Sequence, residues 1–273
     1  MINKNIGIIG YGSMGAMLLE CFADSMIIDR KKMFISTKIK AKLQELIQAG
    51  FSVCDSNCVL VKECDIVFIC TKPLEVYGVL NEIRPVLTSV KHIVSIAGSV
   101  SIANIEKIHN GKVSRILPTI ISSVKKGVTL VCHNENVNEN DKEEIKVLLR
   151  LFSDVDYTPE NEFDLVSHLT SCAPGLFAAI FKEYVNVAKV HSELPIERIR
   201  DLVLKTLSGT ANYLEKESPD FDLMVQRVAT KGGTTEVGVE VLAEKLPAVF
   251  GDMFTKTLKR QQERLNKVEE QYR

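Results

Sequence analysis

Ile6-Gly7-Ile8-Ile9-Gly10-Tyr11-Gly12-Ser13-Met14-Gly15 is the stretch on which the fold turns. Its first four residues read as a short buried strand, and Met14 to Phe22 reads as a helix. Between them stands the pattern G-x-G-x-x-G. Gly10 permits a tight turn, Gly12 lets a pyrophosphate approach the backbone, and Gly15 lets the helix pack on the strand. Phosphates would then face free N–H groups at a helix start, where the helix dipole favours negative charge. A glycine-rich turn alone says little. Set between a strand and a helix, it points to a dinucleotide.

The alternation continues outward from that turn. Met33-Phe34-Ile35 reads as strand, followed by a Lys-rich helix to about Gln48. Asp65-Ile66-Val67-Phe68-Ile69 is an apolar run bounded by polar residues, as a strand buried on both faces should be. His92–Ser95, Lys112–Ile116 and Val128–Val131 add three more strands, and the whole argues for an α/β, doubly wound parallel sheet. After about Pro159 the strand signals stop. Gly175–Val190 is apolar on nearly every side early on, which marks a helix buried in a bundle or an interface. Further helices are expected at Pro195–Leu214, Thr235–Ala243 and Pro247–Glu270. The last carries Phe254, Leu258, Leu265, Val268 and Tyr272 on a narrow stripe suited to a partner helix in this chain or another. The expected division is residues 1–158 for the sheet and 159–273 for an all-helical domain.

Composition excludes several classes of function. Across 273 residues, 34 Lys and Arg stand against 35 Asp and Glu, so binding nucleic acid by bulk electrostatics is not expected. A 45% hydrophobic, 25% charged chain is that of an ordinary globular protein. No uninterrupted apolar stretch reaches the roughly 18–20 residues that span a bilayer. Met1 to Asn5 runs straight into the first strand, leaving no room for a signal peptide. Seven cysteines without a C-x-x-C pair read as reduced thiols of a cytoplasmic protein, and no metal site is expected. The histidines form no constellation; His168, two residues before Thr170, reads as a surface or capping residue.

The end of the second strand decides between cofactors. If that strand is Met26-Ile27-Ile28, Asp29 would meet a free ribose and imply NAD. If it is Met33-Phe34-Ile35, Ser36-Thr37-Lys38 would meet a 2′-phosphate and imply NADP. The polarity of the second end favours NADP, with NADPH preferred over NADH. Lys40 and Lys42 suit a solvated helix face better than Lys38 does. Cys70-Thr71-Lys72-Pro73 closes the buried strand at the end that faces the ligand in open α/β sheets.

With these segments in view, the chain resembles the pyrroline-5-carboxylate reductase family. The resemblance rests on G-Y-G-S-M-G at Gly10–Gly15, V-F-I-C-T-K-P at Val67–Pro73 and S-I-A-G-S-V-S-I at Ser95–Ile102. It continues through R-I-L-P at Arg115–Pro118, S-C-A-P at Ser171–Pro174 and T-K-G-G-T-T-E-V-G at Thr230–Gly238. It implies an N-terminal Rossmann-like sheet followed by a helical dimerisation domain, in a homodimer or an assembly of dimers. The implied reaction is NAD(P)H-dependent reduction of 1-pyrroline-5-carboxylate to proline. By position, Gly10, Tyr11, Gly12, Ser13, Met14 and Gly15 would hold the pyrophosphate, and Ser36 with Lys38 the 2′-phosphate. Asn57 would lie near the adenine ribose. Thr71, Lys72, Pro73, Ala97 and Gly98 would border ribose and nicotinamide. Thr230, Lys231, Gly232, Gly233 and Thr234 would bind substrate together with Thr119, and Thr235 would be the catalytic hydroxyl at the ring nitrogen.

Three departures fall beside the substrate. The family usually reads M-P-N-T-P where this chain has Leu117-Pro118-Thr119-Ile120-Ile121, and S-G-S-G-P-A where it has Thr170 to Gly175. Lys231 replaces a proline. The pattern resembles a divergent branch associated with competence operons and leaves two alternatives open: a reductase of another imine or 2-oxo acid, and a non-catalytic NADPH-binding regulatory paralogue.

The implied chemistry suits such residues. A cyclic imine can be protonated before hydride arrives, so no alkoxide develops and no strong acid is needed. Alignment of donor and acceptor carbons then supplies about 7–11 kcal/mol, and a hydroxyl such as Thr235 suffices for the proton. Thr234 is expected to cap the late helix, with Glu236 in its first turn, leaving N–H groups for a carboxylate. Pro174 suits the first turn of a second helix start.

Overall fold

In the computed structural model, β1 (Ile6–Ile9) is buried at every position and becomes the middle of a sheet rather than its edge. The structure describes residues 3–217 and 220–273, so Met1 and Ile2, read above as the run-in to β1, lie outside it. The helix α1 (Ser13–Asp24) follows β1, and then come β2 (Met33–Ser36) and α2 (Leu43–Gln48). Next are β3 (Ser52–Val53), α3 (Asn57–Glu63), β4 (Ile66–Ile69), α4 (Pro73–Ile83) and β5 (His92–Ser95). The unit is completed by α5 (Ile102–Glu106), β6 (Lys112–Leu117), β7 (Gly127–His133), α6 (Glu139–Leu149) and β8 (Ser153–Tyr157). The strand order is β3-β2-β1-β4-β5-β6-β7-β8. All pairs are parallel except β6 with β7.

Register places the site. Ile9 pairs with both Ser36 and Ile69, and Ile69 with Ser95, so the strands end level. The turns at Gly10, Thr37, Cys70 and Ile96 therefore emerge side by side at the carboxyl edge. Strand order reverses between β1 and β4, where open sheets of this kind bind ligands.

Two apolar layers cover the sheet. On one face Phe22 lies 5.4 Å from Phe68 and 6.0 Å from Phe152, ring centre to ring centre. The other face is closed by Leu60, Val76, Leu80 and Ile105 together with Val268 and Tyr272 from the end of the chain. Tyr272 meets Tyr77 edge-on at 4.9 Å, Asn104 donates to Glu269 at 2.9 Å, and Gln271 donates to the Leu74 carbonyl at 3.1 Å. Part of the late stripe thus finds its partner in this chain.

The helical part begins with α7 (Phe163–Ser167), a π-helical turn at His168–Cys172, and α8 (Ala173–Val190). It continues through α9 (Ile196–Glu217), α10 (Phe221–Val228) and α11 (Thr234–Glu269). The chain forms two compact units, residues to Pro174 with Arg260–Arg273, and Gly175–Lys259. Two expectations need correction here. Pro247 does not divide the last helix, because α11 runs through it: the proline deprives only the exposed Ala243 carbonyl of its donor, and water can serve that group. Pro174 opens no separate helix start, since the run from α7 to α8 is continuous and its π turn lies where the proline donor is missing. By length and composition alone, the helical run Glu160–Val190 is apolar enough to cross a membrane, yet Glu160, Glu162, Asp164, Lys182, Glu183 and Lys189 interrupt it, so it holds no uninterrupted apolar stretch of that length.

Candidate cofactor and substrate site

At the carboxyl edge the three glycines divide their work. Gly10 has φ +97°, and a Cβ there would stand 3.0 Å from the Cys70 carbonyl oxygen. A Cβ on Gly15 would come within 2.2 Å of the Gly10 oxygen. A Cβ on Gly12 would meet nothing within 4 Å. The first two glycines are demanded by the protein's own packing, whereas Gly12 faces open space. Helix α1 has no side-chain N-cap and no acidic residue in its first turn. Its leading N–H groups are left for an anion. Ser13 is exposed beside them, and Tyr11 and Met14 are half-buried.

The second strand is Met33–Ser36, not Met26–Ile28. Asp29 precedes it, and its carboxylate accepts the Lys31 N–H at 2.9 Å to start the Arg30–Lys32 turn. At the far end of β2, Ser36 is buried and its carbonyl accepts the Gly10 N–H at 2.9 Å. The Thr37 hydroxyl accepts the Ile39 N–H at 3.1 Å, and Lys38 is exposed. Lys42 is paired with Glu45 at 3.0 Å. A strand end with a hydroxyl and a lysine and without a carboxylate fits a 2′-phosphate.

Beyond β4, the Thr71 hydroxyl is buried without a partner. Lys72 leads into α4, whose first residue is Pro73, and the Lys72 N–H donates to Glu75 at 3.3 Å. The Ala97 N–H donates to the Ser95 hydroxyl at 3.2 Å, and the Gly98 carbonyl accepts a bond from Arg115. Asn57 opens α3, and its amide donates at 2.8 Å to Glu82, at the end of α4 remote from Pro73. The open Gly12, the uncapped α1 start and the orphaned Thr71 hydroxyl fit a dinucleotide.

Thr119, expected at the substrate, follows β6 and is 1% exposed, with its hydroxyl unpartnered. In the late loop Gly232 has φ +75°, and the Gly233 N–H donates to the Thr230 carbonyl at 2.8 Å. Thr234 is the first residue of α11 rather than its cap. Glu236 reaches back instead, accepting the Gly232 N–H at 2.6 Å, so one expected anion donor already serves a carboxylate. Thr230, Lys231, Thr234 and Thr235 are exposed. His168 is buried at the C-cap of α7, with Nδ1 bonded to the Asp164 carbonyl at 2.8 Å, so it is a capping and not a surface residue. Among the described residues no His, Cys, Asp and Glu group could hold a metal.

Sequence reasoning missed two residues. Arg115 enters the sequence reading only as part of a strand and of the R-I-L-P segment, with no role assigned; the available signal is a charge inside an otherwise apolar run. Glu236 was placed in a first turn without its reach to Gly232, which depends on loop geometry.

Comparison with known proteins agrees with the geometry. Residues 160–264 match the family of pyrroline-5-carboxylate reductase dimerisation domains, and residues 5–99 match a family described as coenzyme F420-dependent NADP oxidoreductase. The chain is 33% identical over 259 residues to pyrroline-5-carboxylate reductase 3 of Bacillus subtilis, covering 94% of this chain and 95% of that one. It is 26% identical to ComE operon protein 4 of the same organism over 98% of both chains. The crystal structure of the Plasmodium falciparum pyrroline carboxylate reductase with NADP bound is similar at a TM-score of 0.84 and 26% identity, over 98% of this chain and 99% of that one. With its sheet, its helical half and its ordered motifs all accounted for, the chain belongs to the pyrroline-5-carboxylate reductase family.

Proposed function

We propose that the protein is a cytoplasmic, homodimeric reductase that uses NADPH in preference to NADH to convert 1-pyrroline-5-carboxylate to proline. The observation that carries this reading is the level carboxyl edge, which gathers the open Gly12, the Ser36–Lys38 strand end and the unpartnered Thr71 hydroxyl beside one another. Residues 1–158 hold the cofactor, and 159–273 supply the dimer interface and the substrate loop.

Bound NADPH supplies the hydride. The α1 N–H groups and Gly12 receive the pyrophosphate, and Ser36 and Lys38 select the 2′-phosphate. Thr71, Lys72, Pro73, Ala97 and Gly98 form the wall beside ribose and nicotinamide. Lys231 attracts the substrate carboxylate, since the Gly232 and Gly233 N–H groups already serve Glu236 and the Thr230 carbonyl. The Thr235 hydroxyl orients the protonated ring nitrogen, which needs no stronger acid because no anion develops on reduction. Purified protein with this substrate should consume NADPH absorbance near about 340 nm, and no turnover despite tight NADPH binding would defeat the reading.

A second reading, reduction of another imine or a 2-oxo acid, is favoured by Thr119, which stands in place of an amide with its hydroxyl closed to solvent. A panel of cyclic imines and 2-oxo acids separates the two by kcat/KM.

A further inference from the structure

We propose that Arg115 is a positioning residue, whose guanidinium fixes the Ala97–Gly98 turn as the wall beside the nicotinamide; this rests on the cofactor reading above. Arg115 lies in β6 among buried residues and is itself 4% exposed. Its Nη2 donates to the Gly98 carbonyl, and its Nη1 donates to Glu160 Oε1 at 2.9 Å. That same oxygen accepts the Ile102 N–H at 2.8 Å, at the first residue of α5. The turn between β5 and α5 is therefore held at both ends, Gly98 by the arginine and Ile102 by the glutamate. The guanidinium carbon lies 4.7 Å from the centre of the Phe163 ring, which fixes the plane of the fork.

Burying a charge in a strand is costly where an apolar side chain would fill the space. The orientation shows what the charge secures. Arg115 Nε is buried without a partner, so the group is turned toward Gly98 and Glu160 rather than toward satisfying every donor. With the Gly98 carbonyl drawn toward β6, the trans peptide sends the Ser99 N–H the opposite way. Gly98 has no side chain with which to anchor itself, and Leu117 Cδ1 lies 3.1 Å from where its Cβ would be. A lysine cannot span both acceptors and stack on Phe163, because it lacks the planar fork.

The test compares wild type with Arg115→Lys and Glu160→Gln, first without cofactor. Hydrogen exchange of the peptide covering residues 96–102 should become about tenfold faster in Arg115→Lys while the sheet peptides keep their protection. Bound NADPH should then lose its wild-type nicotinamide fluorescence while its Kd stays within about threefold, because the phosphate contacts are untouched. The kcat should fall with the KM for NADPH unchanged. Should Arg115→Lys fail to fold, Glu160→Gln carries the same expectations, since it removes the charge that holds the guanidinium in place. Wild-type exchange and nicotinamide fluorescence in whichever variant folds overturn the proposal, as does loss of NADPH affinity in step with kcat. Failure of wild type to reduce the imine would refute the substrate reading alone, because exchange and fluorescence do not depend on it.

Discussion

Gly12 and Gly15 stand in one turn and answer to different demands. Gly15→Ala would force a Cβ against the Gly10 carbonyl and should cost about 1–3 kcal/mol, read as a lower urea midpoint. Gly12→Ala meets no protein atom, so the midpoint should hold while NADPH affinity falls by more than about tenfold. A Gly12→Ala protein that binds NADPH normally would place the pyrophosphate elsewhere. At the end of β2, Lys38→Ala removes a charge-assisted contact to the 2′-phosphate. It should weaken NADPH about tenfold and leave NADH within about twofold by titration; equal losses would mean Lys38 does not read the phosphate. Thr235→Ala should lower kcat about 10- to 100-fold in steady-state assays with NADPH affinity retained. At this scale the glycine turn was legible because backbone sterics dictate it. Arg115 and Glu236 were not, because Gly98 and Gly232 meet them through backbone carbonyl and N–H groups that carry no sequence identity, and the Glu160 partner of Arg115 lies 45 residues away.

At the scale of elements, β5, β6 and β7 share a buried polar chain remote from the carboxyl edge. His92 Nε2 lies 2.6 Å from the Ser114 hydroxyl, which lies 2.6 Å from His133 Nδ1. One hydroxyl can accept from one ring and donate to the other, an arrangement in which the accepting ring must be neutral. Burial pushes His92 down to about 3, against the pull of Asp141, and His133 down to about 4. The unfolded chain therefore takes up protons below about pH 6.5 that the folded chain refuses, and stability falls with pH. Each histidine contributes up to about 1.4 kcal/mol per pH unit, a loss that ends near the folded values. The urea midpoint should drop between pH 7 and pH 5; a level midpoint would mean that these rings are not held neutral. The six strands with strong apolar runs were legible in the sequence, including the choice of Met33–Ser36. Strand β3 has only two residues, and β8 is an edge strand whose Asp154 and Asp156 interrupt the apolar pattern. Pro247 misled because a proline signals a helix end only where its lost bond cannot be replaced.

For the whole molecule, what matters is a face that one chain leaves uncovered. Phe177, Ile180, Tyr184 and Val187 fall at three- and four-residue steps along α8, with Phe177 57% exposed, and Val190 ends the helix at 80%. Such a stripe is not stable in water by itself. The order of sheet and helical half could be read from periodicity alone, but the occupant of this face could not, because a bundle core and a subunit interface share one composition. Residues 160–264 match a dimerisation family and include the whole stripe, which favours a second copy over a lipid surface. Tyr184→Glu places a charge on that face and should convert the dimer to a monomer in sedimentation equilibrium. NADPH affinity should stay within about threefold, because Gly10–Gly15 and Ser36–Lys38 lie in the other unit. Turnover should fall with the dimer and return at high protein concentration, since a weakened isologous interface still closes by mass action. A Tyr184→Glu protein that remains dimeric and active would show that the stripe is covered by something other than its own copy.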